Sequence, residues 1–206
     1  MQKKTGTSRK EKAVQTKSKI YESAKQLFIQ YGYENVNVDD IVKHAGVAKG
    51  SFYVHFESKN SLISILINDY VEQVDMDYKT YLESLSPDVR ADEVLLSIIR
   101  KIANVITDDI GHENMNMLYR IQLEKEISDR KSMSYNREIY KMFYDIIHKG
   151  IEQKIFRTEL SEEEIAKQFM MIYRGVTYEW CVRYPEFDLK SQTLKLFDLL
   201  ITGIKS

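Results

Sequence analysis

Two prolines and eight glycines in 206 residues leave little that can interrupt a helix. Pro87 and Pro185 each fall between apolar-periodic segments rather than inside one, and no stretch sustains the two-residue alternation of a half-buried strand. Apolar side chains recur instead at spacings of three and four: Ile165, Phe169, Ile172, Val176 and Trp180 share one helical stripe. The chain is therefore expected to be all-α, with about nine helices. Hydrophobic residues make up 43%, and a chain of this length buries roughly 70% of its unfolded surface, so no disulfide or metal staple is needed. A single cysteine, Cys181, cannot form an intramolecular disulfide and fits a reducing compartment. No apolar run approaches the ~20 residues of a membrane span, and the basic N-terminus lacks an apolar signal core. A cytoplasmic location is expected.

Net charge is −1, which at first argues against a nucleic-acid partner, but the charge is unevenly spread. Residues 1–60 carry eleven Lys/Arg against six Asp/Glu, a net of +5, and residues 61–206 carry nineteen against twenty-five, a net of −6. Seven of the eleven N-terminal cations lie within residues 3–19. A basic head on an acidic body predicts two units with different partners, and the near-neutral sum does not count against DNA.

Residues 1–12 are polar and basic without apolar spacing and are expected to form a flexible arm. A first helix is predicted over about 13–31, with Ile20, Ala24, Leu27, Phe28 and Tyr31 on one face and Gly32 as its stop. Asn37 and Asp40 have the spacing of a capping box, opening a second helix with Val38, Ile41, Val42 and Ala45 on its apolar side and ending at Gly46. A third runs about 49–56, anchored by Phe52 and Phe56. Helices this short need packing to persist, so 13–58 reads as a three-helix unit whose last two members form a helix-turn-helix. Longer helices are predicted at about 59–85, 88–109, 113–128, 133–154, 162–183 and 189–204, making 59–206 a second, helical domain.

The segment Asn35–Leu62 carries an ordered string of residues: Val38 and Ile41, Ala45-Gly46-Val47, Gly50-Ser51-Phe52-Tyr53, then His55-Phe56, Lys59 and Leu62, preceded by Gly32-Tyr33. This string resembles the DNA-binding segment of TetR-family transcriptional regulators, and at motif level the resemblance covers about residues 13–66. It implies a recognition helix at about 49–56. Lys49 and Ser51, in that helix's first turn, would reach base edges in the major groove. Gly50 keeps the turn slim, and Val54 is the expected apolar contact to a thymine methyl. Asn37 opens the preceding helix, whose N-terminus suits a phosphate, and replaces the commoner Thr or Ser. By the resemblance, Tyr53, His55 and Lys59 bind phosphates. Lys59 also sits in the first turn of a helix, where a cation is disfavoured by roughly 0.3–1 kcal/mol, as if it served something outside the fold. Ala48 departs from the pattern, standing where many members carry a Ser or Thr cap.

Other chemistry is sparsely supported. His44, His55, His112 and His148 have no metal-ligand spacing, so no metal and no cofactor is expected. A carboxylate-bridged bundle needs Glu-x-x-His pairs, and the nearest strings, Asp109-Ile-Gly-His112 and Asp145-Ile-Ile-His148, have Asp instead. No Gly-rich phosphate loop, nucleophile elbow or catalytic-cysteine context appears, so an enzyme is not expected, and Cys181 reads as a core residue.

The resemblance implies that the acidic half dimerises and encloses a small-molecule inducer. Ten of fourteen Tyr, seven of eight Met and Trp180 lie after residue 60, suiting an apolar or aromatic ligand. Candidate lining residues are Met117, Leu118, Tyr119 and Ile121, then Met142, Phe143 and Ile146, then Tyr173, Tyr178 and Trp180, with Tyr119 or Arg120 orienting a polar group. Phe169, Ile172 and Val176 with Leu196, Leu199, Leu200 and Ile204 form apolar faces expected to pair in a homodimer, and Gly175 would admit either a close helix approach or a kink. The expected function is a ligand-responsive regulator, most naturally a repressor, holding two recognition helices on a near-palindromic double-stranded site. An inducer would bind better when the two heads are mis-spaced. Alternatives are an activator of the same fold, a regulator without a small-molecule inducer, or a helical adaptor or enzyme that has kept the fold without DNA binding.

Overall fold

The computed structural model describes residues 8–123, 134–157 and 159–206. Among the described residues nine α-helices follow one another, and the β pairing is an isolated antiparallel bridge between Phe156 and Lys205. The chain divides into two compact units, the first reaching Asn68 and the second beginning at Asp69.

The first unit holds α1 (Arg9–Tyr31), α2 (Val38–Ala45), α3 (Lys49–His55) and the opening of α4 (Lys59–Glu83). Helix α1 starts earlier than the apolar pattern indicates. Ser8 Oγ accepts from the Glu11 N–H at 3.2 Å and Glu11 Oε2 accepts from the Ser8 N–H at 2.7 Å. This reciprocal cap satisfies first-turn donors, so residues 9–12 are helical and not part of an arm; the rest of that predicted arm, 1–7, lies outside the described residues. Gly32 ends α1 at φ 77°, its N–H donating to the Phe28 carbonyl.

The Asn37–Asp40 box forms as its spacing requires, at 3.0 and 2.9 Å, and Gly46 closes α2 in the left-handed region at φ 66°. At 8 and 7 residues, α2 and α3 fall below the ~12–15 that an isolated helix needs. They persist because both pack on α1, with Ile20, Ala24, Ile41, Phe52, Phe56 and Leu62 buried. Ser58 and Ser61 cap α4 reciprocally at 3.0 and 3.1 Å. The first unit extends past residue 58 because the buried Leu62 and Ile63 follow at once.

The second unit contains the rest of α4, α5 (Ala91–Asn104), α6 (His112–Leu123), α7 (Glu138–Glu152), α8 (Glu162–Arg183) and α9 (Leu189–Ile204). Helix α5 begins at Ala91 because Ser86–Val89 form a turn, the Val89 N–H donating to the Ser86 carbonyl. It then widens into a π-helical segment, Val105–Ile110, that stops at Gly111. The predicted end of α6, residues 124–128, and the predicted start of α7 at Met133 lie outside the described residues. Helix α5 packs against α7 and α9, and α8 against α6, α7 and α9. The core is a single cluster including Leu95, Ile98, Ile99, Phe143, Ile147, Phe169 and Phe197.

Two features fix this packing. Arg137 forks onto the buried Asp75 carboxylate at 2.7 and 3.1 Å, joining α4 to the residue preceding α7. Gly150 lies so close to the Phe156 ring that an added Cβ would sit 2.1 Å from it.

Candidate functional site

Helix α3 divides its residues by face. Phe52 is completely buried, Phe56 caps the C-terminus and is also buried, and the two rings lie 5.6 Å apart. The intervening positions turn outward: Tyr53 is 54% exposed and Val54 77%, while Lys49 and Gly50 are exposed and Ser51 and His55 half-buried. A short helix thus presents an apolar valine, a phenol and small polar groups on one accessible side. Among the described residues, no atom beyond its chain neighbours and its own helix backbone lies within 4 Å of a Cβ built on Gly50. Ala48 supplies no side-chain cap, as its identity requires. Asn37 uses its side-chain oxygen and its backbone N–H in the capping box. The exposed side-chain NH2 is the donor left for an outside partner.

Lys49 has a partner already. Its Nζ lies 2.9 Å from the Asp39 carboxylate of α2, with both side chains more than half exposed, and that carboxylate pushes the Lys49 pKa up.

Lys59, to which the resemblance gives a phosphate, is engaged within the fold. Its Nζ donates to the carbonyls of Tyr33 and Val36, each at 2.9 Å, and sits 4.0 Å from the centre of the Tyr33 ring. The ammonium therefore clasps the loop between α1 and α2, and these carbonyls and this ring offset the cost of a cation at a helix N-terminus. Tyr33 also hydrogen-bonds Asn60, so the loop is tied to two successive residues of α4.

In the second unit, Ile121, Met142, Phe143, Ile146, Tyr173 and Trp180 are buried, and Met117, Leu118 and Tyr119 half-buried. Tyr178 departs from its expected lining position: it is 51% exposed, its ring edge-on to Tyr119 at 5.7 Å. Arg120 is exposed. Tyr119 donates its hydroxyl to the Arg174 carbonyl at 3.0 Å, and burial pushes the Tyr119 and Tyr173 pKa values up.

Three buried polar atoms of this interior, Tyr140 Oη, Tyr173 Oη and one Nη of Arg174, have no hydrogen-bond partner among the described residues. Sequence reasoning missed Tyr140 and Arg174. The available signal was that Arg174 follows Met170 by four residues and precedes Thr177 by three, placing a charge on a buried helical face.

Of the residues assigned to pairing between chains, Phe169 is buried within its own chain between Phe143 and Phe197, at 6.3 and 5.5 Å. Intrachain aromatic packing removes it from that role. Ile172, Val176, Leu196, Leu200 and Ile204 are half-buried and Leu199 is 71% exposed. A Cβ on Gly175 would meet nothing within 4 Å. Cys181 is buried, and burial pushes its thiol up to about 11, away from the reactive thiolate. Among the described residues no cluster of three His, Cys, Asp or Glu is placed to hold a metal, and no helix is long and apolar enough to cross a membrane.

Comparison with known proteins places this geometry. Residues 20–64, spanning α1 to the start of α4, match the family model described as bacterial regulatory proteins, tetR family. The fatty acid metabolism regulator protein of Bacillus subtilis is 27% identical over 194 residues, covering 90% of this chain and 93% of its own. The HTH-type transcriptional repressor KstR2 of Mycobacterium tuberculosis is 23% identical, covering 80% of each. A solved structure of Thermus thermophilus FadR, a TetR-family repressor in complex with lauroyl-CoA, shares the fold with a TM-score of 0.69 at 19% identity, covering 90% of this chain and 93% of that one. The helix-turn-helix segment thus matches the TetR family of transcriptional regulators, and over most of its length the chain is similar to regulators of that kind.

Proposed function

We propose that this protein is a cytoplasmic, homodimeric repressor that binds double-stranded DNA through α3 and is released by a small molecule held in the second unit. The observation that carries the reading is the division of α3, with Phe52 and Phe56 holding it to the core while Lys49, Ser51, Tyr53 and Val54 remain accessible. Lys49 and Ser51 read base edges, Val54 meets a thymine methyl, and Tyr53, His55 and the Asn37 amide bind phosphates. Gly50 allows the backbone close to the DNA. The accessible apolar residues of α8 and α9, Leu199 foremost, pair two chains so that two recognition helices meet a near-palindromic site. A ligand releases the protein to the extent that it prefers the DNA-free form. A relative named for fatty acid metabolism, and the lauroyl-CoA bound in a structure of the same fold, favour a ligand with an apolar acyl portion.

The test is fluorescence anisotropy against the duplex upstream of the protein's own gene, across a salt series. Sequence-specific binding with a steep salt slope is expected, and Tyr53→Ala lowers affinity for all sequences and flattens the slope. Lys49 and Ser51 substitutions change sequence preference instead. Absence of specific binding to any selected duplex at low salt overturns the reading, and light scattering at the monomer mass at micromolar concentration overturns the dimer.

A further inference from the structure

An arginine in a helical interior normally ends on a carboxylate, because a buried donor without a partner costs free energy. Arg174 does not: among the described residues no acid pairs with it, one of its Nη atoms is buried without a partner, and its guanidinium sits over the Tyr140 ring at 5.7 Å. The Tyr140 hydroxyl is buried and equally unpartnered. The neighbouring cations are occupied, Arg137 by Asp75 and Lys167 by Glu163 at 2.8 Å. Tyr119 fixes the backbone at this place, its hydroxyl bonding the Arg174 carbonyl. Tyr173, the preceding residue, buries a third unpartnered hydroxyl. Helices α7 and α8 thus bring together two groups, Arg174 and Tyr140, that the described fold leaves incompletely paired, at the edge of the apolar cluster that holds Tyr140, Phe143 and Met170.

A guanidinium only donates, and the hydroxyl of the phenol whose ring it overlies can donate too, so one acceptor would complete both. We propose that Arg174 and Tyr140 form the polar end of an internal ligand site that receives the carboxylate or carbonyl oxygen of a molecule with an apolar tail. The proposal rests on the ligand-responsive reading and identifies the head group that reading lacks. A free carboxylate engages Arg174 with charge assistance; a thioester carbonyl offers the same acceptor without the charge.

The test is calorimetric titration of the full chain with dodecanoate, lauroyl-CoA and dodecan-1-ol, needing no DNA. Dodecanoate or lauroyl-CoA is expected to bind, and whichever binds more tightly distinguishes acid from thioester. Arg174→Met and the isosteric Tyr140→Phe should each weaken that probe by about tenfold or more, while dodecan-1-ol changes by less than about threefold in Arg174→Met. Tyr140→Phe keeps the packing, so a folding defect in Arg174→Met leaves the question answerable. Unchanged affinity in Tyr140→Phe, as when a buried water alone completes these groups, overturns the proposal, as does failure of wild-type protein to bind dodecanoate and lauroyl-CoA. Either failure leaves specific DNA binding, measured separately, untouched.

Discussion

Replacing Lys59 by methionine keeps the aliphatic stem and removes the ammonium, and the structure fixes both sign and size of the effect. Two N–H donations to carbonyls at 2.9 Å are lost, together with a cation 4.0 Å from the Tyr33 ring. Hydrogen bonds to charged groups contribute about 1.5–3 kcal/mol each and the cation–π contact about 0.5–1 kcal/mol. Partial exposure favours the low ends, giving a destabilisation of about 3.5 kcal/mol. A lysine held for a phosphate predicts the opposite sign, since removing a cation from a helix N-terminus stabilises by about 0.3–1 kcal/mol. Urea unfolding of the full chain, read together with amide exchange at Ile41 and Gly46, measures the change where the clasp acts. Exchange there should accelerate while amides of α5 hold. Unchanged or increased stability, with the salt slope for DNA reduced by about one, would refute the clasp and restore the phosphate contact.

Gly150→Ala forces a methyl to within 2.1 Å of the Phe156 ring and should destabilise by about 1–3 kcal/mol or more; a melting temperature equal to wild type would show that the ring swings aside freely. Asp75→Asn removes the charge of a buried carboxylate on which Arg137 forks and should cost up to about 3–5 kcal/mol, measured by urea unfolding, whereas Asp75→Asn combined with Arg137→Met should recover part of the loss. The His148 pKa is raised, first by its hydrogen bond to Glu162 and then by that group's charge. The pair's contribution is therefore fully present below the unfolded value of 6.5 and fades as pH rises through the folded one. The melting-temperature gap between wild type and His148→Asn should shrink between about pH 6 and pH 8, and a gap growing over that range would contradict the pairing.

What the sequence disclosed was set by local chemistry. The Asn37–Asp40 box, the Gly46 stop and the Phe52–Phe56 anchor each depend on residues within one or two turns, so spacing was enough to read them. The Ser8–Glu11 box was equally local, but the polar turn it opens carries no apolar rhythm and reads as an arm. The role of Lys59 depends on carbonyls 23 and 26 residues away, and a carbonyl leaves no mark in a sequence. Arg174 and Tyr140 meet because α7 packs on α8, and the burial of Phe169 requires α7 and α9 together. Periodicity told which side of each helix is apolar; it could not tell which helix would face it.

The pair between Lys49 and Asp39 has a consequence for how α3 would meet DNA. Asp39 is a built-in competitor for the cation, so every duplex that engages Lys49 must first displace a carboxylate 2.9 Å away. Such an exposed pair contributes about 0–1 kcal/mol, a handicap of up to about fivefold shared by all sequences. Because Lys49 is already neutralised, its transfer to DNA releases less counterion than a free lysine would, and added salt weakens the competitor along with the complex. Helix α3, if it reads DNA as proposed, would thereby carry a small threshold that a weak, sequence-independent encounter meets at the same cost as a fully matched site, but with less binding free energy to offset it.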